Sequence, residues 1–142
     1  MVKLFNTEFE VSMRLLMILN EESHLNEDEI ARLDFFTIYA NYYGFGEINL
    51  NGTCSFPLNE FTIQRKLIKN ALKELIFREL ASVMNDSKKG FIYSITSAGR
   101  KYVNEMNDDY SRTYKKYASS IIEEMRPINM KKLKERTKGV NE

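Results

Sequence analysis

The sequence predicts a mainly α fold of the α+β class, in which a short β hairpin stands between the third helical stretch and the last. Two observations carry this. Apolar residues recur at spacings of three and four in four separate stretches, and a two-arm pattern with a polar, glycine-closed tip separates the third from the fourth. With 142 residues, 43% of them apolar, the chain has enough for one real core. Residues 1–126 are expected to form that domain, and residues 127–142 a polar, basic tail.

The first helix spans about Thr7 to Asn20, with Phe9, Met13, Leu16, Met17 and Asn20 on its apolar stripe. Thr7 suits the N-cap, and Glu8 and Glu10 fall in the first turn, where the helix dipole favours anions. Asn26 caps the second helix. Glu29 stands at N3 to bond back to it, and Leu25 is placed to staple onto Ile30. The acidic run Glu27-Asp28-Glu29 is then explained by the dipole rather than by a metal or catalytic cluster. This helix continues through Leu33, Phe36 and Ala40 to about Tyr43, where Gly44 and Gly46 end it. The long connection from Tyr43 to Leu58 has Asn51-Gly52 at its centre. That dipeptide favours a type I′ turn between short arms at Glu47 to Leu50 and Thr53 to Phe56.

Pro57 and Asn59 announce the third helix, Glu60 to about Arg78, with its stripe at Phe61, Ile68, Ala71, Leu72, Leu75 and Ile76. Lys66, Lys69 and Lys73 share another side of it and make a basic ridge. The hairpin follows, with arms at Leu80 to Asn85 and Phe91 to Thr96 and with Lys88 and Lys89 on its turn. Thr96 or Ser97 caps the last stretch. Here Val103, Met106, Tyr110, Tyr114, Tyr117, Ile121 and Met125 give the strongest periodicity in the chain, and Asn107-Asp108-Asp109 is a point where it can break in two. Beyond Pro127 no apolar stripe remains.

Composition removes whole classes of chemistry. One Cys and one His cannot build a zinc site or a disulfide framework, so neither metal nor cofactor is expected. A Cys/His or Ser/His/Asp catalyst would rest on His24, in a turn between helices, and on Cys54, in a loop, with no motif around either. We therefore expect no enzyme. The longest aliphatic run, Leu15 to Leu19, is far short of the ~20 residues that span a bilayer, and no signal peptide opens the chain; the expected compartment is the cytoplasm. The net charge of +1 hides an asymmetry, with −6 in residues 1–58, +4 in residues 59–106 and +3 in residues 107–142.

Helix, helix, helix, hairpin with a basic tip, helix is the layout of a winged helix-turn-helix domain with an extended C-terminal helix. The segment from Ile68 to Met106 resembles the recognition helix, wing and closing helix of winged regulators, including the Thr96-Ser97-Ala98-Gly99-Arg100 start of the last helix. The front departs from them. Their helix-turn-helix uses a turn of about three to four residues, where this chain inserts Tyr43 to Leu58.

A wider likeness covers residues 4–122. The segments LFNTEFEVSMRLLMIL, LDFFTIYANYYG and FPLNEFTIQRKLIKNALKELIFRELASV resemble the middle components of bacterial ABC-three-component systems, a group to which the small accessory subunit of Lamassu-type antiphage defence is similar. Its markers are Phe5-Asn6, Leu33-Asp34, Arg65-Lys66 and Arg78-Glu79-Leu80. The resemblance implies a non-enzymatic bridge between an SMC-like ABC ATPase and an effector, often a nuclease.

Two functions follow as expectations. An interaction subunit would offer apolar anchors of the type enriched in interfaces: Leu4, Phe5, Phe9, Tyr43, Phe45 and Phe56. Against this stands the simpler possibility that such aromatics pack the domain's own core. A winged-helix transcriptional regulator would instead bind DNA through Lys66, Lys69 and Lys73 and through Lys88 and Lys89. Lysines in a row suit phosphates better than base edges, so that contact would be independent of sequence and sensitive to salt. Because the tail has no core-facing stripe, deleting residues 127–142 is expected to leave the thermal melting temperature within about 2 °C of the full chain, since ~1 kcal/mol shifts it by a few degrees; a larger fall would show that the tail packs.

Overall fold

The computed structural model describes residues 7–41, 43–48, 50 and 57–124, and for residues 57–61 and 63 the backbone alone. In chain order the elements are α1 (Glu8–Glu21), β1 (Leu25–Asn26), α2 (Glu27–Ile38), α3 (Pro57–Phe77), β2 (Ala81–Asp86), β3 (Gly90–Ile95), α4 (Ser97–Asn104) and α5 (Asp109–Glu124). The three strands form one antiparallel sheet in the order β1-β3-β2.

Helix α1 begins as its sequence dictates, with the Thr7 hydroxyl accepting the Glu10 N–H at 3.2 Å. Its expected single stripe is corrected. Val11, Ser12 and Arg14 to Leu19 are all buried, while Phe9, assigned to the stripe, is 48% exposed. The reason is position: α2, α3, α4, α5 and β3 all pack on α1, so it is the central rod of the fold rather than an amphipathic surface helix.

The capping box of α2 is present in full. Asn26 Oδ1 accepts the Glu29 N–H at 2.8 Å, and Glu29 Oε1 accepts the Asn26 N–H at 2.9 Å. The helix stops at Ile38, earlier than the expected Tyr43. Gly44, at φ +80°, then turns the chain, and the rings of Tyr43 and Phe45 come to rest on Phe36. Tyr117 fixes the segment that follows by accepting the N–H of Glu47 at 3.1 Å and of Ile48 at 3.3 Å. Glu47, Ile48 and Leu50 form bends and a turn rather than the expected strand arm. The Asn51-Gly52 turn and the second arm lie outside the described residues, as do Cys54 and the tail.

Helix α3 ends in a Schellman motif. The Leu80 N–H reaches the Leu75 carbonyl and the Glu79 N–H the Ile76 carbonyl, both at 3.0 Å, with Glu79 at φ +60° in the position where glycine is commonest. Thr96 then ties the far end of the hairpin to this corner, its hydroxyl donating to the Glu79 carbonyl at 2.8 Å and its N–H to that of Leu80 at 3.1 Å. The same hydroxyl caps α4 by accepting the Gly99 N–H. A Cβ at Gly99 would collide with the Leu80 carbonyl and the Ile95 side chain, so α4 lies this close only because residue 99 has none. The two-residue strand β1, which sequence periodicity did not reveal, closes the hairpin's other edge through Leu25–Tyr93 and Asn26–Ile92 pairing.

The last periodic stretch breaks at 105–108, as its Asn-Asp-Asp run allows. Asp108 caps α5 by accepting the Ser111 hydroxyl at 2.6 Å and its N–H at 3.3 Å. The Ser111 hydroxyl, more than any other group, holds the Asp108 carboxyl below its ordinary range. Val103, Tyr114, Tyr117 and Ile121 are buried across the break. The extended C-terminal helix is thus two helices, and α5 folds back onto α1 and α2 as part of the core. No helix among the described residues is long and apolar enough to cross a membrane.

A polar cluster lies at the centre of this apolar packing. Arg14 Nε donates to Asp34 Oδ1 and Nη2 to Asp34 Oδ2, both at 2.9 Å, in a two-pronged pair that is 1% and 0% exposed. Nη2 also donates to Gln64 Oε1 at 3.1 Å, and the Tyr114 hydroxyl donates to Asp34 Oδ1 at 2.6 Å. Burial alone would lower the Arg14 pKa, but the Asp34 charge outweighs it and leaves the guanidinium above its usual value. Burial, and then the Asp34 charge, push the Tyr114 hydroxyl up, so it stays a donor at any physiological pH. Removing one partner strands the other charge, so Asp34→Ala is expected to lower the unfolding free energy by about 3–5 kcal/mol. The double variant Arg14→Met/Asp34→Leu should regain most of that in urea denaturation; a single-variant loss below about 1 kcal/mol would contradict the cluster's central place.

Candidate functional site

Among the described residues, the outer face made by α3 and the hairpin gathers exposed lysines and exposed aromatics. Lys66, Lys69 and Lys73 stand exposed along α3, as their spacing predicts, and Lys88 is exposed at the hairpin tip. None of these four makes an ion pair among the described residues. Lys89 differs from the expectation. Its ammonium lies 2.8 Å from Glu29 and 3.2 Å from the His24 carbonyl, which fastens the tip to the start of α2 instead of presenting a free cation.

The tip is built by its own carboxylate. Asp86 accepts the N–H of Lys89 at 2.9 Å and of Lys88 at 2.8 Å, and these bonds lower its pKa. The clamp therefore holds above the ordinary carboxylate range and is lost only as pH falls through the depressed value. The acidic run at the start of α2 is also accounted for: Arg65 reaches Glu27 at 3.2 Å and Asp28 at 2.6 Å, joining α2 to α3. Those ion pairs, more than compensating for partial burial, raise the Arg65 pKa.

Between the lysine ridge and the hairpin runs an apolar groove of about 410 Å³, lined by Leu72, Lys73, Ile76, Phe77, Val83, Phe91 and Tyr93. Val83 and Tyr93 are cross-strand partners, so their side chains share one face of the sheet, and Phe91, two residues before Tyr93, lies on that same face. Phe77 is 78% exposed and Phe91 63%. Large aromatics this open, gathered in one concavity, are the surface feature that marks interaction sites. Past Phe91 and Tyr93 the groove continues into a polar pocket of about 280 Å³ that holds Arg65, Glu27 and Asp28.

Of the expected anchor residues, Phe9 is half exposed, with the Arg78 guanidinium 5.8 Å above its ring. Tyr43 and Phe45 are partly buried against the core, so for these two the simpler possibility of self-packing is the observed one. Leu4, Phe5 and Phe56 lie outside the described residues. His24 is exposed, as expected, with its Nδ1 3.0 Å from the Ser94 hydroxyl. The groove itself is not among the features the sequence predicts. Its one sequence signal was Phe77, an aromatic between the core position Ile76 and the charged Arg78.

The family model for the ABC-three-component (ABC-3C) system middle component 2 matches residues 4–140. The chain belongs to this family. The match extends beyond the 4–122 of the sequence resemblance and through most of the tail. No curated protein and no solved structure matches the chain. Membership gives the middle component its partners in outline, namely the other components of the same system.

Since the ridge lysines bond to no carboxylate among the described residues, replacing Lys66, Lys69 and Lys73 together by Gln is expected to change the unfolding free energy by less than about 0.5 kcal/mol. Arg65→Ala, which unties α2 from α3, should cost up to about 1 kcal/mol, as half-exposed pairs do. Urea denaturation of both variants checks this; a costly lysine variant would show that the ridge holds the fold together.

Proposed function

We propose that this middle component is a non-enzymatic accessory subunit of an antiphage defence complex, acting in the cytoplasm and joining an SMC-like ABC ATPase to its effector. The observation that carries the proposal is the α3–hairpin face, where an open apolar groove lies beside lysines that make no ion pair among the described residues. A self-sufficient domain gains nothing by exposing Phe77 and Phe91 to water, at roughly 25 cal/mol for each Å² left unburied. A subunit that buries them against a partner does.

The order α1-β1-α2-α3-β2-β3, with the short β1 added to the hairpin, supports the winged-helix assignment. On that assignment α3 is the recognition helix and the hairpin is the wing. The same pair of elements that would approach DNA in a regulator here carries an apolar groove. Contact with DNA lying on the ATPase remains part of the proposal through the exposed ridge, as a phosphate contact independent of sequence. The regulator alternative is disfavoured because α2 and α3 are separated by residues 39–56 rather than by a short turn.

Co-expression of the tagged chain with the other components of its system, followed by native mass spectrometry, tests the proposal. The expected result is a stoichiometric assembly containing the ATPase. Recovery of the chain alone, or as a homodimer holding one DNA sequence, would overturn it.

A further inference from the structure

We infer that the groove between α3 and the hairpin receives an acidic amphipathic helix from another component of the system. This rests on the functional proposal above and names what occupies the site. Local charge selects the occupant. Around the groove, Glu27 and Asp28 are taken up by Arg65, Glu29 by Lys89, and Glu74 by Arg78. Asp86 is turned inward onto the N–H groups of its own turn. What is left over among the described residues is four cations, Lys66, Lys69, Lys73 and Lys88, against one exposed carboxylate, Glu79 at the far corner, so the balance is cationic.

The spacing suits a helix. Residues 66, 69 and 73 cover seven positions, a rise of about 10 Å, or two turns. Carboxylates at i, i+3 or i+4, and i+7 on a helix laid alongside would meet them one for one. The face of that helix turned toward the hairpin would place apolar side chains over Leu72 and Ile76 and between Phe77 and Phe91. Burying an apolar stripe in a groove with charges along its flank is a recurrent way for one protein to hold a helix of another. Duplex nucleic acid matches the lysines and leaves the aromatics wet, whereas a second copy of this chain would bring a like-charged ridge against the first.

The test measures binding of the full chain to each of the other purified components at low salt. Phe77→Asp and Phe91→Asp are each expected to weaken binding to one component at least tenfold. Both side chains are largely exposed, so the melting temperature should stay close to that of the unaltered chain. Lys66→Glu/Lys69→Glu/Lys73→Glu should weaken it by a similar factor, and the difference should shrink as salt is raised. A photo-crosslinking residue at position 77 should then capture a peptide rich in Asp and Glu with apolar residues at spacings of three and four.

Full-strength binding by all three variants would overturn the groove assignment and leave the accessory-subunit proposal standing. Failure of the unaltered chain to bind any component would overturn that proposal itself. Cross-linking to a second copy, or loss of only random-sequence duplex DNA binding in the lysine variant, would show a different occupant.

Discussion

Four helices meet at one ion pair that water does not reach. Arg14 comes from α1, Asp34 from α2, Gln64 from α3 and Tyr114 from α5, and the bonds that join these four side chains all cross between elements. A buried pair of this kind gives little net stability over apolar residues of the same volume. What it does is penalise every other arrangement, because a helix that slid or rotated would leave a charge buried without its partner. The apolar residues around it could pack in several registers; the cluster is compatible with one. The direction in which α3 faces is fixed from inside the core, through Gln64.

That orientation matters at the surface. With Ile68, Ala71, Leu72 and Leu75 turned inward, Lys66, Lys69 and Lys73 are turned out. The corner at Glu79 and Leu80 then sets the hairpin against the same helix, and Thr96 bonds to both carbonyls of that corner. At the other end, Lys89 and Arg65 fasten the hairpin tip and α3 to the acidic start of α2. The groove is thus held at both ends by short bonds and along its floor by core residues. It is preformed, which lowers the ordering cost of binding.

Much of the fold could be read from the sequence because its signals are local. The capping box at Asn26, the lysine spacing on α3, the hairpin tip and the break before Asp109 each depend on residues a few positions apart. What could not be read depends on partners far along the chain. Nothing near Arg14 in the sequence reveals its partners, since Asp34 is twenty residues away and Tyr114 a hundred. The β1 strand is two residues long, and only its pairing with β3, nearly seventy residues on, makes it a strand. The groove is illegible in the sequence for the same reason: Phe77 and Phe91 come from different elements, and each alone is an ordinary exposed aromatic.

On the proposed function, α3 and the hairpin form the face by which this middle component engages the rest of its system. Hydrogen exchange of the chain, free and in complex with the system's ATPase and effector components, tests it most directly. Backbone amides are compared peptide by peptide. Added protection concentrated in residues 66–95, with α5 unchanged, is the predicted result. Protection confined to α5 or to the loop after α2, with residues 66–95 exchanging as in the free chain, would contradict it.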